Sequence, residues 1–69
     1  MNNADQKMTN RIESMTTEQL AEVSLRLTAE PTTEATIVCN RVERVLADRM
    51  SGPDFAAHMQ ACEAVLDAA

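Results

Sequence analysis

His58 and Cys62 stand four residues apart, and Cys39 is the second thiol of the chain. These are the side chains best suited to metal or covalent chemistry. Positions four apart share one face of a helix. A closed zinc site takes about four nitrogen or sulfur ligands. Only three candidates converge here, with no Cys-x-x-Cys or His-x-x-x-His pair behind them, so no metal is expected. A cysteine nucleophile needs an adjacent base and an electropositive, accessible setting. Both cysteines fall on apolar stripes, and His58 is the only histidine. A single glycine excludes a Gly-rich phosphate loop. A helical chain this small is expected to offer no cleft of ligand-pocket volume. The expectation is no enzyme and no cofactor: two small buried thiols beside a half-buried histidine. A Cys39–Cys62 disulfide is sterically conceivable, but it is not expected in a reducing cytoplasm.

The elements that position these residues centre on Thr33 to Met50, the longest run free of Gly and Pro that suits a helix. Ala35, Val38, Val42, Val45, Leu46 and Arg49 recur at spacings of three and four, one stripe on a 3.6-residue period. Before this helix, Glu30-Pro31-Thr32-Thr33 breaks the chain, because proline removes a donor and biases Glu30 away from helix. Thr32 or Thr33 can cap the central helix. An earlier helix is expected from Thr16 to about Thr28. Thr16 with Gln19 forms a capping box, and Met15 staples onto Leu20. Leu20, Val23 and Leu27 form its inner side, with Leu25 outside that stripe. Residues 1 to 7 are expected to fray, with a short helix carrying Met8, Ile12 and Met15 after them.

Ser51-Gly52-Pro53-Asp54 ends the central helix and starts the last, with Gly52 suited to a helix C-terminus and Pro53 to the first helical turn. The last helix should run from Pro53 to about Asp67, with Phe55, Met59, Cys62 and Leu66 as its apolar stripe. The turn is short, so an αα-hairpin is expected. Folding back about Gly52 pairs Leu46 with Phe55, Val42 with Met59, Cys39 with Cys62 and Ala35 with Leu66. A near-perpendicular corner would lose the outer layers. The fold expected is all-α: one helical domain over residues 1–69, a helical hairpin with one or two additional N-terminal helices.

Sixty-nine residues bury only about 60% of the surface that the unfolded chain exposes, which leaves a lone monomer marginal. One Phe and no Trp or Tyr leave the core to Ala, Val, Leu and Met, which suits close helix packing. Ala57, Ala61, Ala64 and Ala68 line another side of the last helix and would let a further helix approach closely. Together with Leu25, Ala57, Ala61 and Ala64 are expected to pack a neighbouring helix or a second copy, and a homodimer is the preferred state.

Eleven acids against six bases give a formal charge of −5, which argues against a general nucleic-acid binder and permits a basic protein partner. No stretch approaches the ~20 apolar residues that span a bilayer, so no membrane role is expected and a cytoplasmic location is. On the central helix Ile37, Arg41, Arg44 and Asp48 share the side opposite the apolar stripe, with Glu34 near its start. The plain interpretation is a solvated face with an Arg44–Asp48 pair worth ~0.3–0.5 kcal/mol. An isoleucine beside two arginines instead suggests a partner anchor, since Arg is enriched at interface hot spots.

The segment TTEQLAEVSLRL resembles the first helix of repressor-type helix-turn-helix motifs. The turn would be Ala29 to Thr32, with a recognition helix opening at Thr33. It departs from that pattern in lacking the usual turn Gly, in holding Pro31, and in setting Glu34 where phosphates would sit. DNA binding through residues 16 to 50 is the alternative function. The chain as a whole, MTTEQLAEVSLRL leading through Glu30-Pro31 into TIVCNRVERVLADRM and the Ala-rich end, resembles small accessory proteins from the early regions of Mu-like Pseudomonas phages. More narrowly it resembles their quorum-sensing anti-activators. That resemblance implies a small helical homodimer that binds the host's quorum-sensing transcription activator at its DNA-binding domain, with the type IV pilus assembly ATPase as a second target.

Overall fold

The computed structural model describes residues 3 to 68, and these form four helices with no strand among them. They are α1 (Asn3–Ser14), α2 (Thr17–Thr28), α3 (Thr33–Arg49) and α4 (Gly52–Ala68). The fold class is all-α.

Each boundary has a chemical cause. Thr16 caps α2 reciprocally: the Gln19 amide donates to Thr16 Oγ1 at 3.1 Å, and the Thr16 amide donates to Gln19 Oε1 at 2.9 Å. Two of the amides left over at a helix start are thereby satisfied. Thr32 caps α3, its Oγ1 accepting from the Ala35 amide at 3.1 Å. Ser51 does the same for α4, accepting from the Asp54 amide at 3.2 Å. The α3–α4 break differs from expectation. Met50 turns extended (φ −93, ψ 152) while its amide still donates to Leu46 O at 2.8 Å. Gly52 is already helical, and no glycine has a positive φ.

Helix α1 starts at Asn3, well before Met8, so residues 3 to 7 are helical where fraying was expected. Residues 1 and 2 of that expectation lie outside the described residues. Asp5 in the first turn suits the positive end of the helix dipole. Gln6 Nε2 donates to Asn10 Oδ1 at 3.0 Å along the helix, and Arg41 Nη2 of α3 meets Asp5 Oδ1 at 3.1 Å. Arg49, assigned to the apolar stripe by spacing, is exposed. Its guanidinium donates to the Met15 and Glu13 carbonyls at 2.7 and 2.9 Å. A cation there complements the carbonyls left over at the end of α1.

The core is Ile12, Leu20, Val42 and Leu46, with Met15, Val23, Val38, Val45 and Phe55 packed on it. Leu20 and Leu46 are fully buried, each contributing roughly 1.5–3 kcal/mol of apolar transfer. Helix α2 is the hub. It runs close to α3, then to α4, whereas α3 and α4 approach each other at few points. The expected pairing of α3 and α4 in successive layers is therefore replaced by packing through α2. Phe55 joins the cluster that contains Leu46. Cys39 and Cys62 both contact Ser24 of α2. Ala35 is buried, but Leu66 is 60% exposed, so the outermost layer does not close over Leu66. The buried line of α4 is turned toward α2 accordingly: His58 and Cys62 are buried, Phe55, Met59 and Val65 half-buried.

Candidate functional site

The residues with reactive chemistry meet in the interior, on α2. Ser24 is fully buried, and its hydroxyl lies 3.1 Å from His58 Nε2 and 3.8 Å from both Cys39 Sγ and Cys62 Sγ. Cys62 Sγ is also 3.6 Å from His58 Nε2, one helical turn away. His58 is buried rather than half-buried, and it has a partner in the Ser24 hydroxyl. The spacing of α2 contains the missing signal: Ser24 lies on the same stripe as Leu20, Val23 and Leu27, but its polar side chain hides it from a search for apolar residues.

Cys39 reaches further. Its Sγ is 3.2 Å from Glu43 Oε1, 3.7 Å from Thr28 Oγ1 and 3.7 Å from the Ser24 carbonyl. Burial pushes this thiol above its ordinary value of 9.0; the hydrogen bond to Glu43 and its nearby charge add to the rise, and the Thr28 and Ser24 hydroxyls offset part of it. The thiolate is the nucleophile and the metal ligand. At neutral pH Cys39 is therefore a buried thiol serving as a hydrogen-bonding core residue. Both cysteines are free. Among the described residues no group of three or more His, Cys, Asp or Glu is placed to hold a metal ion. Every buried side-chain nitrogen or oxygen among these residues has a partner.

The outer face of α3 is the contrasting surface. Glu34, Ile37, Arg44 and Asp48 are exposed, Ile37 at 51%. Arg44 and Asp48 form no ion pair; the pairs present among the described residues are Arg26–Glu22 and Arg41–Asp5. Arg41, expected beside them as a free anchor, is half-buried and held by Asp5. The fold thus brings Glu34, Ile37, Arg44 and Asp48 to one open face and turns Arg41 toward α1. Leu25 is half-buried, while Ala57, Ala61 and Ala64 are all exposed.

Two open grooves flank α1, a correction to the expectation that no cleft of pocket size would exist. One, of about 330 Å³, lies between Thr9, Ile12 and Glu13 and the α3 residues Arg41, Arg44 and Val45. The other, of about 470 Å³, is mainly apolar and includes Met8, Met15, Val23, Val38 and Val42. Both arise because α1 covers α2 and α3 with one thin line of side chains.

No family model, curated protein or solved structure matches the chain. No helix among the described residues is long and apolar enough to cross a membrane.

Proposed function

We propose that this chain is a non-enzymatic inhibitor that works in a host cell's cytoplasm by protein–protein contact. It binds a transcription activator of the quorum-sensing type at its DNA-binding region and blocks it, with a pilus assembly ATPase as a second target. The observation that carries this proposal is the open face of α3, where Ile37 stands 51% exposed among Glu34, Arg44 and Asp48. An apolar anchor ringed by uncommitted charges is what a specific interface needs at its centre. The −5 net charge favours approach to a basic DNA-reading surface, and the whole-chain resemblance supplies the target class. The assembly proposed is a homodimer that uses Leu25, Ala57, Ala61 and Ala64, because exposed alanines on α4 permit close helix approach.

The test is a double variant, Ile37→Asp with Arg44→Glu, presented to the immobilised DNA-binding domain of such an activator. Capture should be lost while helicity and oligomeric state stay unchanged. Capture that survives both changes removes the α3 face from the proposal.

One observation favours a second reading as a DNA-binding regulator: α2 and α3 pack closely and are joined by four residues, as in a helix-turn-helix. Against it, Glu34 occupies the first turn of α3, and Arg41 is already paired with Asp5. A salt titration against random duplex separates the two, since phosphate contacts give a steep salt dependence.

A further inference from the structure

Two large apolar side chains are exposed among the described residues, Ile37 at 51% and Leu66 at 60%. Ile37 centres the outer face of α3; Leu66, the more open of the two, belongs to neither that face nor the core. It stands seven residues after the half-buried Met59, so the two follow one line along α4. That edge stays open because α4 leans on α2 and meets α3 at few points. Ala57, Ala61 and Ala64 fall on the other side of the buried His58–Cys62 line, so packing of the small residues leaves Leu66 uncovered.

Charge decides what can cover it. Helix α1 sums to zero, with Asp5 and Glu13 against Lys7 and Arg11. Helix α3 also sums to zero, with Glu34, Glu43 and Asp48 against Arg41, Arg44 and Arg49. The whole formal charge of −5 therefore sits on α2, the α2–α3 linker and α4. Helix α4 holds Asp54, Glu63 and Asp67 but no lysine or arginine. Glu63 and Asp67 are exposed beside Leu66, and the ion pairs Arg26–Glu22 and Arg41–Asp5 do not involve them. Helices α1, α2 and α3 carry Arg11, Arg26 and Arg49 in their last turns, whereas the last turn of α4 has Asp67 and no cation. A carboxylate at the negative end of a helix dipole is unfavourable, so a cation arriving there gains from the side chains and the leftover carbonyls together. A second copy paired through this edge would set acid against acid, and phosphate groups are repelled.

We propose that the Met59–Leu66 edge of α4 docks a basic amphipathic helix from a partner protein. An apolar side chain of that helix covers Leu66, and its lysines or arginines reach Glu63, Asp67 and the last carbonyls of α4. This is an apolar anchor with a charged rim, on a different helix from Ile37 and independent of it.

The probe is a labelled helical peptide of Leu, Ala and Lys, about 18 residues long, with Leu at i, i+4 and i+7 and Lys on the flanks. Titrated by anisotropy into the full chain, it should bind saturably, and a scrambled peptide of the same composition should bind about tenfold more weakly. Leu66→Asp in the chain adds a negative charge but removes the anchor. It should weaken binding about tenfold, whereas attraction by charge alone would strengthen it. Gln60→Glu adds the same charge without touching the anchor and should tighten binding by roughly two- to threefold. Glu63→Gln with Asp67→Asn should weaken binding and flatten its salt dependence. All these positions are exposed, so far-UV circular dichroism should not change. Equal binding of the scrambled peptide, or undiminished binding by Leu66→Asp, reduces the attraction to charge alone and overturns the proposal. Self-association that Leu66→Asp abolishes, in a chain that ignores the peptide, hands the edge to a second copy and likewise overturns it. Ile37→Asp should leave peptide binding intact; its loss there overturns the independence of the two faces.

Discussion

Helices α1 and α2 are both twelve residues long and adjacent in the chain, yet they hold the molecule together to very different degrees. Helix α2 buries Leu20 and Ser24 completely, carries a two-way cap at Thr16, and lies against both α3 and α4. Helix α1 buries Ile12, approaches α3 at few points, and has open space on either side. The two have nearly the same amphipathic strength. Amphipathicity therefore says that a helix needs a neighbour, while the number of neighbours decides how firmly it is held.

The sharpest way to break that comparison is to truncate the central residue of each. Leu20→Ala should cost about 2–5 kcal/mol, the range for a fully buried leucine whose site cannot collapse. In a domain of this size that is a large part of the ~3–10 kcal/mol total. Ile12→Ala should fall near the low end, about 2 kcal/mol, because the open space around it lets α1 settle. Urea denaturation followed by far-UV circular dichroism reads both. Equal costs would mean that α1 is as much part of the core as α2.

Ser24→Ala is the next largest. It removes the hydroxyl that contacts His58 Nε2 and both thiols, and a buried imidazole nitrogen left with fewer partners costs about 1–3 kcal/mol. The loss should be larger than for Ser14→Ala on α1, whose exposed hydroxyl donates only to the Arg11 carbonyl. A neutral Ser24→Ala would mean that the polar cluster merely fills space.

This contrast also marks how much could be seen in the residues themselves. The capping box at Thr16, the break at Pro31 and the stripe through Ala35, Val42 and Leu46 arise from local chemistry, and all are present. Ser24 and His58 escaped because a polar side chain on an apolar stripe does not register as core until its partners are known. Leu66 was assigned inward because periodicity reports which face of α4 is apolar but not which helix it meets. Facing α2 instead of α3 rotates the buried line by a residue, to His58 and Val65. Glu34, Ile37, Arg44 and Asp48 are all exposed on α3, where helical spacing puts them on one side. Arg41 was drawn away by Asp5, thirty-six positions earlier, a contact that local periodicity does not encode.

A pH series sharpens the same point on the thiol side. The Cys39 thiol is pushed above its ordinary value of 9.0, chiefly by burial. A raised folded-state value means that the folded chain holds this proton more firmly than the unfolded chain. The stabilisation is complete below about pH 9 and is lost as pH climbs through the folded value. Thermal unfolding should show a falling midpoint on the alkaline side, and Cys39→Val should flatten that fall. A fall of the same steepness in the variant would place its source elsewhere.

The smallest effect tests the joint between α3 and α4. Gly52 is the first residue of α4, does not have a positive φ, and an added Cβ there meets no atom within 4 Å. The break is made by extended Met50 and the Ser51 cap, not by glycine's freedom. Gly52→Ala should thus be tolerated and should stabilise the fold by about 0.4–1 kcal/mol, since it reduces the entropy of the unfolded chain without straining the folded one. A destabilising Gly52→Ala would instead require a left-handed residue at the joint, and with it a different angle between α3 and α4 and a different set of neighbours for His58 and Cys62.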